Sequence, residues 1–406
     1  MSRANPRIPS IGDDPREQFG EVEDPPGKIW FRDLDEAVIE ADRCIQCASC
    51  VAACPSDSLG IDEEEGRPTL VRMCTGCSSC WDYCPRSGLR YERVVELVDE
   101  AQDGQPDSYA ARTIDGDAVA SGQDGGVVTA LLTGLLEAGE IDGALVAKGA
   151  IEQPLRGTAT LATTREELFS SAGSIYTQTM GLGRLDDFIE ETGLEEPQLA
   201  LVGTPCVIQG ANALERYDHA SSDSITLTLS LMCTRTFEYD RLTGLLAEHG
   251  VDPTAVEKMD VVEGVLFAYD QAGSILLEAA VESFDSASLR GCAECADFVG
   301  GAADISAGSI GSEDGYTTVL VRTERGRHAW ERGAGALETT NLERVDAVER
   351  LAAWNERRAL EVLPRAYDPD GSVGISYGEH RRAYDGTDRE PEPLNPARVH
   401  QYEEWC

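Results

Sequence analysis

The chain has 406 residues and a formal net charge of −40, an excess of carboxylates that leaves no basic stripe to displace phosphate counterions and so excludes nucleic acid as a partner. Hydrophobic residues make up 41%, enough for proper cores and too many for a disordered chain, and the length calls for two or three domains. Of the 34 basic residues only Lys28, Lys148 and Lys258 are lysine, and so acidic a surface is tolerable where salt screens its self-repulsion, as in a halophilic cytoplasm.

Residues 1–37 read as an N-terminal extension. Its start, MSRANPRIPSIGDD, lacks the apolar core of a signal peptide, which predicts a cytoplasmic protein. Thirteen cysteines in such a chain point to metal or redox chemistry rather than to a disulfide framework. Eight of them fall within residues 38–95. CIQCASCVAACP spaces Cys44, Cys47, Cys50 and Cys54 as C-x2-C-x2-C-x3-C-P, and CTGCSSCWDYCP repeats the pattern with Cys74, Cys77, Cys80 and Cys84. This is the two-cluster ferredoxin spacing, in which the fourth cysteine of each run ligates the other cluster. Cys44, Cys47, Cys50 and Cys84 are therefore expected to hold one [4Fe–4S] cluster, and Cys74, Cys77, Cys80 and Cys54 the second. Between the runs, IDEEEGRPTLVR predicts a hairpin turning at Glu65–Gly66.

A polar stretch over 101–113 reads as a linker. Beyond it SGQDGGVVTALLTGLLEAG sets Gly122, Gly125 and Gly126 before an apolar helix too short to span a membrane. A helix start of this kind favours an anion such as a cofactor phosphate, although the spacing is not the dinucleotide fingerprint. Strands are then predicted at 141–149, 160–164, 198–206 and 224–233, with a capping box at Thr164 and Glu167. Cys206 and Cys233 fall just past the ends of two of these strands, at the edge where open α/β sheets bind ligands. Cys292 and Cys295 form a separate C-x-x-C. Spacing alone leaves three readings of these four: a third cluster, a structural zinc, or no shared site. Farther on, VDAVERLAAWNERRALEVL reads as an amphipathic helix, the polar tail after it carries no recognisable motif, and Cys406 has no evident partner.

The ordered segments SG…GGVVTALL, AGSIY, GTPC, LMCTRTF, CAECADF, ADISAGSIGS and GYTTVLVRTERG resemble the coenzyme F420 hydrogenase/dehydrogenase beta-subunit family, over about residues 38–330. Fused behind a two-cluster ferredoxin, they look most like the input subunit of F420H2 dehydrogenases. The resemblance implies an α+β chain: a ferredoxin domain at 38–95, a mixed α/β flavin- and cluster-binding domain at 113–340, and a C-terminal helix and tail at 341–406. It further implies FAD, coenzyme F420 as substrate, and a third [4Fe–4S] cluster on Cys206, Cys233, Cys292 and Cys295. Ser121, Gly122, Gly125, Gly126, Val127 and Thr129 match the flavin-side motif; Gly173, Ser174 and Tyr176 match a second stretch facing the flavin; Thr204 and Pro205 lead into Cys206. Asp297, Asp304, Ser309 and Gly311 match the segment that closes the site, where turn and cap chemistry is the plainer reading. Two positions depart from the family: Ile175 stands where many relatives carry Lys, and Val207 where many carry Gln.

The implied activity is that of an iron–sulfur flavoprotein oxidoreductase exchanging electrons between coenzyme F420 and one-electron carriers, as part of a larger electron-transfer assembly. A deazaflavin moves hydride, iron–sulfur cubes move single electrons, and a flavin converts between the two. The alternative is a ferredoxin-dependent reductase of a different organic substrate. Membrane association would come only through a partner. Lys148, Arg156 and Arg290 are candidate cations for the acidic tail of the substrate.

Overall fold

The computed structural model describes residues 30–86 and 106–362, apart from positions 41, 63, 64, 78, 217 and 218. Most of the N-terminal extension and the tail with Cys406 lie outside the described residues. Phe31, Leu34, Val38 and Ile39 recur at helical spacing and pack with Cys50, Leu59, Cys80 and Cys84 into one small core, so the end of the extension is part of the ferredoxin unit. Strands β1 (Leu59–Asp62) and β2 (Arg67–Leu70) pair antiparallel, which is the hairpin expected between the cysteine runs.

The larger unit is a mixed α/β body. Strands β3 (Asp107–Thr113), β4 (Gly143–Ala150), β5 (Gln153–Ala162), β6 (Leu199–Gly203) and β7 (Ile225–Leu231) lead into a separate antiparallel sheet of β8 (Lys258–Val262), β9 (Val265–Tyr269) and β10 (Ile275–Ala280). The chain returns through β11 (Ile305–Gly308), β12 (Thr317–Val321) and β13 (Leu337–Asn341) to complete an eight-stranded sheet of order β13-β3-β12-β11-β7-β6-β4-β5. The neighbours β4, β6, β7 and β11 are parallel. Antiparallel β12 lies between β11 and β3, so β3 points the same way as those four. The C-terminal ends of β3, β4, β6, β7 and β11 therefore share one edge.

Alternation along the strands sorts side chains into two layers. Ala111, Ala144, Ala200, Val319 and Val321 face helices Val127–Ala138 and Glu324–Gly333, with Leu131, Leu135 and Trp330 between. Leu145 and Leu201 face the opposite way, onto helices Leu185–Thr192 and Pro205–Arg216 and the ferredoxin residues Ile45, Cys47 and Ala53. Helix Val345–Val362 covers the same opposite side nearer β12, through Val348 against Leu320 and Phe298. The capping box at Thr164 and Glu167 forms as expected. The 101–113 linker reading fails over 107–113. DSYAART forms a strand paired on both sides, hidden in the sequence because two of its three buried positions are alanine, a weak strand former.

Candidate cluster and cofactor site

The ferredoxin cysteines group across the two runs. Cys44, Cys47, Cys50 and Cys84 line one cavity, whose wall includes Arg86. Cys54, Cys74, Cys77 and Cys80 line a second. Burial pushes the thiols of Cys44, Cys50 and Cys80 upward, and neighbouring sulfurs push them further; Cys84 is pushed up to about 12, first by burial and then by Cys47. Packing mutually repelling thiolates into a dry pocket is unfavourable unless cations bind them, and bound metal reverses that cost. Backbone N–H groups already aim at the sulfurs: Gln46 donates to Cys44 Sγ (3.4 Å), Ser58 to Cys54 Sγ (3.3 Å), Gly76 to Cys74 Sγ (3.3 Å) and Arg86 to Cys84 Sγ (3.4 Å). Such donors suit sulfur that carries negative charge, and they tune a cluster once it is bound. Among the described residues no group of three or more Cys, His, Asp or Glu is placed to hold a single metal ion.

The remaining internal cysteines meet at the shared sheet edge. Cys206 follows β6 at the start of helix Pro205–Arg216, Cys233 lies two residues past β7, and Cys292 sits in the turn Arg290–Glu294 that leads to Cys295. A small ladder laces their loops together. Thr177 and Ser288 bridge Phe237 from either side, Phe237 N–H donates to Tyr176 O (2.8 Å) and Leu289 N–H to Thr236 O (3.0 Å). Thr236 N–H in turn points at Cys292 Sγ (3.4 Å). Burial lifts the Cys206 thiol to about 12, with the sulfurs of Cys292, Cys295 and Cys47 adding to the push against a bond from Thr204. Burial lifts Cys233 as well, followed by Cys292, Cys206 and Cys295. The four sulfurs thus lie within one another's electrostatic reach.

Residues that sequence reasoning passed over hold this arrangement. Gln178 Nε2 donates to Cys206 Sγ (3.3 Å) and to Thr204 Oγ1 (3.2 Å). From helix Val345–Val362, Asn355 Nδ2 donates to Cys295 O (2.8 Å), and Arg358 Nη2 donates to Cys292 O (2.9 Å) and Thr234 O (3.0 Å). An Asn in the apolar register of an amphipathic helix, with Val348, Leu351, Ala352 and Ala359, was the available signal. One helical turn beyond Cys206, a Cβ at Gly210 would meet Ser49 Cβ at 3.3 Å and Cys47 Sγ at 3.4 Å. The lack of a side chain there lets the ferredoxin unit seat with Cys47 beside Cys206.

The glycine-rich turn lies at the same edge, past β3. Helix Val127–Ala138 starts there with no side-chain cap and no acidic residue in its first turn, and a helix start of this kind suits a phosphate. The glycines themselves serve packing. A Cβ at Gly125 would meet Ala111 O at 2.5 Å and Thr317 N at 3.0 Å, and one at Gly122 would meet Ala118 O at 2.8 Å. Gly126 caps the helix, Val127 is core, and Thr129 is buried. The side chain of Ser121 lies outside the described residues. Gln123 bonds Asp260 on β8, and the Tyr176 hydroxyl sits against Gln123 and Asp260, lifted by burial and by that carboxylate. Through these contacts the turn, the 173–178 stretch and the three-stranded sheet meet. Gly173 is exposed and Ser174 half-buried beside them.

Asp124 keeps an exposed face, yet the protein around it and then Asp260 push its carboxyl up from 3.8 to about 6. A carboxyl raised in the folded state costs nothing while protonated in both states and loses stability as pH rises through about 6. Asp124→Asn should therefore raise Tm at neutral pH and flatten the pH dependence below it. Equal Tm values for parent and variant on both sides of that range would refute the shift.

The closing segment divides. Asp297 accepts from Gln209 Nε2 (3.2 Å) and Gly301 N (3.0 Å) next to the Cys295 turn; Ser309 and Gly311 follow β11 at the ligand edge. Asp304 precedes β11 instead, at the far end of that strand, fully buried among backbone and side-chain donors. It is a fold-holding residue, and the expectation that it helps close the site is corrected. Val207 points into the core against Gly203 and Leu201, whereas Ile175 stays half-buried beside Gly157. Lys148 and Arg156 lie by the β4–β5 hairpin, where Lys148 Nζ donates to Ser170 Oγ (3.2 Å) and the Arg156 guanidinium lies 4.4 Å from the Tyr239 ring centroid. Arg290 is engaged by Glu294 at 3.6 Å.

Comparison with known proteins matches three family models. Residues 108–186 match the N-terminal part, and 197–345 the C-terminal part, of coenzyme F420 hydrogenase/dehydrogenase beta subunit; 37–89 match a 4Fe-4S dicluster domain. The chain is 33% identical over 344 residues to a coenzyme F420-dependent sulfite reductase of Methanocaldococcus jannaschii, 80% of this chain and 51% of that protein, and so spans about half of the reductase's length. It is 30% identical over 279 residues to the coenzyme F420 hydrogenase subunit beta of Methanosarcina barkeri, 66% of this chain and 93% of the relative. Among solved structures, a chain of the xenon-derivatized F420-reducing [NiFe] hydrogenase complex from the same organism superposes with a TM-score of 0.61 at 26% identity, covering 72% of this chain and 97% of that one. Among the described residues no helix is long and apolar enough to cross a membrane.

Proposed function

Because the chain belongs to the coenzyme F420 hydrogenase/dehydrogenase beta-subunit family and carries a 4Fe-4S dicluster domain, we propose that this oxidoreductase exchanges electrons between coenzyme F420 and a one-electron partner within a larger complex, using FAD and three [4Fe–4S] clusters. When bound, FAD supplies the conversion between hydride and single electrons, and the clusters supply one-electron carriage.

The protein's part follows from the residues. Cys206, Cys233, Cys292 and Cys295 would hold the inner cluster, with Gln178, Thr204 and Thr236 aimed at its sulfurs. Cys44, Cys47, Cys50 and Cys84 would hold the next, and Cys54, Cys74, Cys77 and Cys80 the outermost. The uncapped helix start after Gly126 would take a cofactor phosphate, with Tyr176 and Gln123 beside it. Lys148 and Arg156, in the paired strands β4 and β5, are the cations assigned to an acidic substrate tail. The observation that carries this reading is the convergence of the four scattered cysteines at one sheet edge, next to Cys47 of the ferredoxin unit.

Anaerobic mixing with reduced coenzyme F420 and an artificial one-electron acceptor, in high salt, tests it. Reoxidation of the coenzyme is expected. Ile175, half-buried where many relatives carry Lys, favours a second reading, a ferredoxin-dependent reductase of another organic substrate. A flavin-loaded protein that leaves reduced F420 untouched would select that reading.

A further inference from the structure

We propose that Arg43, Glu294 and Arg86 form a buried charge bridge between the ferredoxin unit and the Cys292/Cys295 turn, and that this bridge sets the reduction potentials of the two iron–sulfur sites it joins. The proposal rests on the cluster assignment above. Arg43 is 5% exposed, Arg86 1% and Glu294 0%. Arg43 Nε lies 3.3 Å from Glu294 Oε2, and its Nη2 donates to Arg86 O (3.2 Å). Arg86 Nη2 donates to Gly291 O (3.4 Å), next to Cys292. A Cβ at Gly291 would meet Arg43 O at 2.4 Å, so the turn needs glycine to come this close. Arg86 also lines the cavity of Cys44, Cys47, Cys50 and Cys84, and Glu294 occupies the middle of the Cys292–Cys295 turn.

Buried ions cost several kcal/mol each to desolvate, and such a network is weak evidence for stability. Its position points to another role. Each electron accepted adds negative charge to a cluster, which a cation in a dry wall stabilises more strongly than one in water. The guanidiniums therefore raise the potentials of the sites they face, and the Glu294 carboxylate restrains the rise. Arg86 is not among the residues that line the cavity of Cys54, Cys74, Cys77 and Cys80.

Redox titration of the full-length, cluster-loaded protein, followed by EPR, decides the matter. Arg86→Met should make both inner sites harder to reduce, by at least about tenfold in the reduction equilibrium or about 59 mV for one electron, while the outer site stays in place. Arg86→Lys should restore most of the loss. Glu294→Gln, nearly isosteric, should move the same two sites the opposite way. Opposite signs are what a purely structural role would not produce. If Arg86→Met fails to assemble clusters, Glu294→Gln and Arg43→Met carry the same sign test. Unmoved potentials, or shifts of one sign for both charges, overturn the bridge. A parent protein without an inner cluster overturns the assignment beneath it and the bridge with it.

Discussion

Cys206→Ser should separate the two halves of the reaction. Its thiol is buried within reach of Cys292 and Cys295 on one side and Cys47 on the other, so it stands where electrons would cross from the inner site to the ferredoxin unit. Serine keeps the helix start intact, but its hydroxyl is far less acidic than a thiol and is a weaker ligand for cluster iron. The variant should still oxidise a single equivalent of reduced coenzyme F420, because the glycine turn, Tyr176 and the β4–β5 hairpin are untouched. Steady-state delivery to a one-electron acceptor should fall by at least about a hundredfold, beyond the 10–100-fold that loss of an outer-shell partner typically costs. Stopped-flow and steady-state assays on one preparation separate the two. Undiminished steady-state transfer would place the electron route elsewhere.

Asp304→Ala should give the largest loss of stability. Its Oδ2 accepts from Thr228 N and Thr228 Oγ1, both at 2.8 Å, and Oδ1 accepts from Thr323 Oγ1 (2.5 Å) and Arg325 Nε (3.2 Å). One carboxylate thus ties β7 to the cap of helix Glu324–Gly333. Removal strands the buried donors of Thr228 and Thr323, while the half-exposed Arg325 keeps Glu215 as a partner, a loss of about 3–5 kcal/mol. Urea titration should show the midpoint fall with the m-value unchanged. Asp304→Asn, which keeps an acceptor oxygen, should lose less. A variant as stable as the parent would show that the network contributes nothing net.

What could be read from the sequence was whatever short-range chemistry dictates. The ferredoxin spacing is fixed by how three thiolates wrap a cube face, and the capping box and hairpin are local. Cys206 and Cys233 were placed at strand ends because the apolar runs before them are unmistakable. Other features depend on distant partners. Arg43 and Glu294 are 251 residues apart, and nothing near either says that the other is buried against it. Strand β3 has small side chains at its buried positions, and its pairing with β12 and β13 is decided more than two hundred residues later. The glycines of 122–126 read as room for a ligand, whereas the space beside Gly125 is filled by the backbones of two strands. Asp304 and Ser309 belong to one motif, yet β11 runs between them and sends them to opposite ends of the sheet.

Iron and acid-labile sulfide per chain, measured on protein loaded anaerobically in high salt, test most directly whether cysteines 206, 233, 292 and 295 serve one cube. About twelve atoms of each are expected, for three four-iron clusters. About eight, with both ferredoxin signals intact by EPR, would leave those four sulfurs without a shared metal centre and contradict the account.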